Sequence, residues 1–193
     1  MTTAESDDEA GSVSPAVVLD FLPHGRSDDD RPQYRKQPVA YALGVDEFQL
    51  YELVVSDDAD VTIGDRIDPT GEPFDHANGI TYDDLSSGAA SELDYAVEEV
   101  VEADEQRFVD FYNDAQPITL RLHQLNLLPG IGKKLRNTIL DERKRQPFTS
   151  FADLEGRVSG LHDPEGIIVE RIIEELRETD LKYRTFARRE DGE

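Results

Sequence analysis

Cysteine is absent, methionine occurs only at Met1, and lysine occurs just five times in 193 residues. Without cysteine there is no disulfide, no thiolate metal site and no cysteine nucleophile. No apolar run approaches the ~20 residues that a membrane span needs. The first eleven residues are acidic and polar, unlike a signal peptide, so the cytoplasm is the expected compartment. Hydrophobic residues are also scarce, at 37%, below the usual share for a globular chain.

Negative charge is abundant. The chain has 43 acids against 20 bases, a formal charge of −23. Disorder throughout is excluded, because apolar residues recur at regular spacing from about residue 91 to 181. The acids are spread along nearly the whole chain and the bases are mostly arginine, 15 of the 20. An acid-rich, lysine-poor surface of this kind is expected of a protein from a salt-accumulating halophile, where carboxylates keep the surface hydrated.

Against that background one stretch stands apart. Residues 121–146 hold Arg121, Lys133, Lys134, Arg136, Arg143, Lys144 and Arg145, with only Asp141 and Glu142 as acids. The local charge is +5, while the other 167 residues carry −28. In a neutral protein such a run would read as a solvated helix face. In this chain it reads as a binding surface for an anion.

Residues 1–14 lack apolar periodicity and are expected to form a disordered acidic tail, with a second short tail at 188–193. Ala16–Leu22 reads as a buried strand. A polar loop follows, with Arg26, Arg31, Arg35 and Lys36 around Tyr34. Val39–Val45 and Phe48–Val55, split by Asp46-Glu47, suggest a hairpin. Gly64–Ile67 has the form of a turn into another strand, and Ile80–Tyr82 adds one more. Several short strands within residues 15–90 suggest a small five-stranded OB-like barrel. Over 91–116 the spacing of Leu93, Val97, Val100, Val101, Phe108 and Phe111 predicts one connecting helix, with Ser91 as its cap. From Pro117 to residue 187 the pattern is helical with short links, ending in an extended segment at 182–187. The expected class is α+β, a β-barrel followed by an α-helical domain.

The segment Leu128-Pro129-Gly130-Ile131-Gly132-Lys133-Lys134 lies between two of these apolar-periodic stretches. Pro129 ends the first. Gly130 and Gly132 tolerate positive φ and a close ligand, and Ile131 turns inward as an anchor. The next helix starts near Gly132, so its free N–H groups face the turn and attract phosphate. Lys133 and Lys134 oppose the helix dipole at that end. Their placement makes sense if a phosphate sits between them and the amides.

This stretch resembles the helix-hairpin-helix family, whose hairpins carry a Pro-Gly-Ile-Gly core followed by a basic residue. It departs at Arg136, where that family has a small residue. The resemblance implies sequence-independent contact with a nucleic-acid backbone. Pro147–Leu154 resembles the link between paired hairpins, which places a second, degenerate hairpin near Gly160–Ile167. Its acids would repel phosphate. More widely, Leu19–Gly25 and Arg121–Leu125 leading into the hairpin look like an archaeal family of unknown function, DUF655. That family is described as predicted nucleic-acid-binding proteins with an OB-like domain and a helix-hairpin-helix. The resemblance spans roughly residues 16–187 and implies a role near RNA, with a ribosomal or translation-associated partner.

The expected function is therefore non-catalytic binding of RNA or DNA, with RNA favoured. The contact residues are Gly130, Ile131, Gly132, Lys133, Lys134, Arg136, Arg143 and Lys144. Tyr34, Arg35 and Lys36 are secondary contacts, and Tyr41, Phe48 and Tyr51 join Tyr34 as stacking candidates. The alternative is a module that docks an acidic protein through the same basic region. No catalytic residue, metal or cofactor is expected. His24 and His123 are taken as structural.

Overall fold

The run Val39-Ala40-Tyr41-Ala42-Leu43-Gly44 is buried at every residue, which requires packing on both faces and hydrogen-bonded neighbours on both edges. In the computed structural model, which describes residues 14–188, it is the central strand of a curled, antiparallel half-barrel. The strands are β1 (Ala16–Leu22), β2 (Val39–Gly44), β3 (Leu50–Val55), β4 (Arg66–Ile67) and β5 (Phe74–Ile80). Their order is β4-β1-β2-β3-β5. Apart from Ser14 and Arg188, the two expected tails lie outside the described residues.

Alternation along β2 assigns the faces. Val39, Tyr41 and Leu43 join Val17 and Leu19 against the helices. Ala40 and Ala42 point the other way, into a smaller cluster with Leu53, Val55 and Phe74. A bulge between Val18 and Asp20 shifts the β1 register and adds local twist. The expected hairpin is present, with Leu43 paired to Leu50. The strand sought at Ile80–Tyr82 instead ends at Ile80 and begins at Phe74. It is an edge strand whose middle residues are exposed.

Five helices complete the α+β fold: α1 (Ser87–Ala103), α2 (Glu105–Asp114), α3 (Lys133–Arg145), α4 (Phe151–Arg157) and α5 (Pro164–Arg177). The single helix expected over 91–116 is thus two. Asp104, at φ −130° and ψ 52°, leaves the helical region between them. No apolar side chain between Val101 and Phe108 is buried, so packing does not enforce one continuous rod there. The cap is Ser86 rather than Ser91. Its Oγ accepts from the Ala89 amide at 3.0 Å and donates to Asp20 Oδ2 at 2.6 Å. Ser91 lies a turn inside, bonded to the Ser87 carbonyl. No helix among the described residues is long and apolar enough to cross a membrane.

One apolar cluster runs from Val17 and Tyr41 through Leu93, Val97 and Val100 of α1, Val109 of α2 and Ile139 of α3 to Ile168 and Ile172 of α5. The expected extended segment at 182–187 is instead a strap tied to α5 by Glu175, which is fully buried. Its Oε1 accepts from Arg171 Nε at 3.0 Å and the Thr185 amide at 2.7 Å. Its Oε2 accepts from the Phe186 and Ala187 amides at 2.9 and 2.8 Å. Phe186 thereby reaches Phe111, with ring centroids 5.0 Å apart.

Breaking a buried ion pair by removing one partner costs about 3–5 kcal/mol. Glu175→Ala should therefore lower the melting temperature by roughly 10 °C, given about 2–4 °C per kcal/mol for a chain of this size. A shift below about 2 °C would show that the strap contributes little to the folded state.

Candidate functional site

Leu122, Leu125 and Leu128 are spaced by three, which matches the i, i+3 eclipse of a 3-10 helix better than the 3.6-residue period of an α-helix. The segment before the 128–134 turn is accordingly a short 3-10 turn, Gln124–Leu127, where an α-helix was expected. Leu125, Leu128 and Ile131 are all buried and hold the turn to the core. His123 caps the 3-10 turn: its Nδ1 accepts from the Leu125 amide at 3.1 Å. Asn126 then ties the two sides together. Its Oδ1 accepts from the His123 amide at 3.2 Å and from Arg136 Nη1 at 3.1 Å, and its Nδ2 donates to the Ile131 carbonyl at 3.2 Å.

Gly130 sits at φ +77°, and a side chain at Gly130 or Gly132 would meet nothing within 4 Å. The requirement at Gly130 is thus conformational, while the turn itself is open to solvent. Gly132 is the N-cap of α3, and no side chain caps this helix. Its first amides point out along the axis. The contrast with α5 is informative. There Asp163, in the left-handed region at φ 50°, accepts from the Gly166 amide at 3.0 Å. At α5 a carboxylate of the chain accepts from the first turn; at α3 no side chain does.

Lys133 and Lys134 are exposed, and Arg136 is half-buried. Among the described residues the side chains of Lys133, Lys134, Lys144 and Arg121 make no ion pair or hydrogen bond. Elsewhere arginines meet acids: Arg26 with Asp28 and Glu52, Arg31 with Asp29, Arg157 with Glu142 and Asp153, and Arg177 with Asp94. Lys144 lies three turns beyond Lys133 on a similar face of α3, about 16 Å along the axis.

Arg143 belongs to a different set. Its Nη1 donates to the Tyr112 and Ala115 carbonyls at 3.1 and 2.9 Å. It closes the end of α2, and burial draws its pKa down. The sequence placed it on the binding face, but the structure turns it inward. Conversely, Arg121 and Asn126 were not chosen, yet they line one depression with Leu120, Lys133 and Arg136. The signal for Asn126 was its spacing of three from His123, a reciprocal capping pair.

Of the stacking candidates, Tyr41 and Phe48 are core residues, and burial followed by the Glu52 charge pushes the Tyr41 hydroxyl up to about 12. Tyr51 is half-buried. Tyr34 is 82% exposed, with the Arg35 guanidinium 5.6 Å from its ring centroid. Lys36 donates to the Arg26 carbonyl. These three residues lie on and just after the 3-10 turn Gln33–Arg35, between β1 and β2. Among the described residues no group of three or more His, Cys, Asp or Glu is placed to hold a metal ion.

Residues 13–188 match the family model "Protein of unknown function (DUF655)". The chain belongs to this family. An uncharacterised protein of Methanocaldococcus jannaschii is 38% identical over 182 residues, covering 92% of this chain and 81% of the relative. A crystal structure of a DUF655 protein from Archaeoglobus fulgidus superposes with a TM-score of 0.80 at 40% identity. It covers 91% of this chain and 99% of that one. The likeness therefore extends over the sheet and all five helices of this DUF655 protein.

Two predictions concern the frame of the site. The His123 pKa is held below the usual 6.5, by burial first and then by the Arg143 and Arg136 charges. The unfolded chain thus binds this proton more readily. The stability contributed by His123 is complete above about pH 6.5 and is lost as pH falls below it. His123→Asn keeps a capping acceptor, so the difference in melting temperature between it and the parent should change between pH 7.5 and 5.5; a constant difference would contradict this. Arg143→Ala should destabilise the fold by roughly 1–3 kcal/mol, because it strands buried carbonyls. A loss below about 0.5 kcal/mol in a denaturant titration would show that the two carbonyls are satisfied without Arg143.

Proposed function

We propose that this DUF655 protein is a non-catalytic nucleic-acid-binding protein. It grips the phosphate backbone through the hairpin Leu128–Lys134, read as a helix-hairpin-helix whose first helix is reduced to the 3-10 turn Gln124–Leu127, and RNA is favoured over DNA. The observation that carries this reading is the gathering of unpaired cations, Lys133, Lys134 and Arg121, around the one α-helix start among the described residues that pairs a glycine cap with a basic first turn. A cation in the first turn opposes the helix dipole, and a bound phosphate would reverse that penalty while satisfying the open amides. The half-barrel is read as an open OB-like sheet, and Gly160–Ile167 as the silent second hairpin, its helix start already occupied by Asp163.

The acid surplus is read as a salt-adapted surface, which bears on how binding is achieved. Each phosphate contact contributes a log-log salt slope of roughly −0.9 on duplex DNA, or about −0.7 on single strands. Five contacts would lose roughly four decades of affinity between ~0.2 M and ~2 M salt. Lysine charge alone would not hold a ligand in concentrated salt. The amides of the hairpin, which add hydrogen bonds at fixed positions, carry the remaining affinity.

Lys133→Glu/Lys134→Glu should weaken binding to a labelled RNA duplex by more than about a hundredfold near 0.2 M salt, read by fluorescence anisotropy. Lys133→Ala/Lys134→Ala should reduce the salt slope by about 1.5–2. Unchanged binding by the charge-reversed variant would refute the hairpin as the contact surface.

A further inference from the structure

Leu120 has 107% of its reference exposure, more than any other large apolar side chain among the described residues. Such a residue on a loose loop would need no explanation. Leu120, however, stands at the tip of a closed turn. Pro117 and His123 form a β-bridge, and the Ile118 and Thr119 amides both donate to the Leu122 carbonyl at 2.8 and 3.0 Å. Thr119 Oγ1 accepts from the Arg121 and Leu122 amides at 3.2 and 3.0 Å. Beneath it, Gln116 and Gln124 exchange hydrogen bonds. The backbone that presents Leu120 is therefore ordered in advance, which removes most of the entropic cost of using it in a complex.

Its position is the second observation. Leu120 and Arg121 line the same depression as Asn126, Lys133 and Arg136. Asn126 is fixed by its bonds to Ile131 and Arg136, so the apolar tip and the cations hold a set relation to one another. The other exposed apolar residues, Tyr34, Ile63 and Tyr95, belong to other segments. A surface that offers cations and one protruding leucine side by side fits a ligand that offers phosphate and an accessible apolar face together.

Resting on the nucleic-acid reading above, we infer that the ligand is a duplex whose base stack is interrupted, with Leu120 seated against the exposed base face and Lys133, Arg136 and Arg121 on the flanking phosphates. A continuous duplex hides its base faces, and prising a step apart costs more than one leucine returns on burial. Where a nucleotide is already unpaired that cost is least. Burying a single leucine against a base is worth roughly tenfold or more in affinity. The leucine thus selects among nucleic-acid structures, while the hairpin supplies the general grip.

The full chain is titrated into two short RNA duplexes of one sequence, one continuous and one with a single unpaired nucleotide beside a 2-aminopurine. Expected are about tenfold tighter binding to the interrupted duplex and a change in 2-aminopurine fluorescence on binding. Leu120→Ala should abolish both, with affinity for the continuous duplex kept within twofold; Leu120→Met should retain both. Equal affinity of the parent chain for the two duplexes would overturn the inference. So would a preference that survives in Leu120→Ala, or a loss that falls equally on both duplexes. Lys133→Glu/Lys134→Glu separates the two levels. If it binds both duplexes as the parent does, the hairpin reading itself fails. If it binds neither while Leu120→Ala behaves as the parent, only the role of Leu120 is refuted.

Discussion

The apolar seam between the sheet and α1 is the constraint on which the other elements depend. Val17, Leu19, Val39, Tyr41 and Leu43 offer one face of β1 and β2, and Leu93, Ala96, Val97 and Val100 cover it. Burial of about ten such side chains is worth on the order of 15–30 kcal/mol before chain entropy is counted. No polar interaction in the molecule competes with that. Once α1 is seated, α5 packs against it, and α4 and the strap follow α5. The 128–134 turn is reached through the same core, because Leu125, Leu128, Ile131 and Ile139 belong to it. Arg143 then pins α3 to the last carbonyls of α2. The start of α3 is thus a fixed feature, held by side chains that are turned into the fold.

Charge then decides how that end differs from the rest of the surface. Exposed ion pairs contribute little to stability one at a time, so the pairs of Arg26, Arg31 and Arg177 are poor evidence of what holds the chain together. They are better evidence of where cations have been neutralised. The ion pairs among the described residues are all made by arginines, and Lys133 and Lys134 differ from the other lysines in standing side by side in the first turn of a helix. The last turn of α3 carries Arg143, Lys144 and Arg145, where positive charge suits the dipole. The first turn gains nothing of that kind. Its lysines are tolerated by the fold without being required by it.

Much of this frame was legible in the sequence, and the failures share a cause. The runs at 16–22, 39–45 and 48–55 mark three strands because short, nearly continuous apolar stretches rich in β-branched and aromatic residues, bounded by turn residues, suit buried strands. β5 was missed over Phe74–Gly79 because an edge strand with exposed side chains has no hydrophobic signature; backbone pairing with β3 defines it. The break at Asp104 was invisible because a helical stripe can pass over a gap of six residues without losing phase. The spacing by three at Leu122, Leu125 and Leu128 fits the 3-10 turn found there, but so short a pattern does not separate one from an α-helix. The inward turn of Arg143 escapes the sequence for a related reason. Sequence marks a basic region, whereas the choice between ligand and backbone depends on which face of α3 meets α2, a tertiary fact.

The two helix starts at α3 and α5 supply the final argument about the site. Both follow a turn with a left-handed glycine, Gly130 and Gly160, and both begin long helices of 13 and 14 residues. The dipoles are therefore similar at the two ends, although Pro164 at the first position of α5 leaves that helix one free amide fewer. At α5 the chain supplies its own anion, Asp163, with Glu165 close behind in the first turn. At α3 it supplies a glycine and two lysines, in a protein where acids outnumber bases two to one. An aspartate cap in place of Gly132 would stabilise the helix by only a few tenths of a kcal/mol, so the larger cost carried by the folded chain is the pair of lysines set against the helix dipole. A site that forgoes its own cap and adds positive charge to a positive helix end gains from that arrangement only when an external anion is bound. The unequal treatment of the two helix starts is thus the feature on which the proposed contact surface rests.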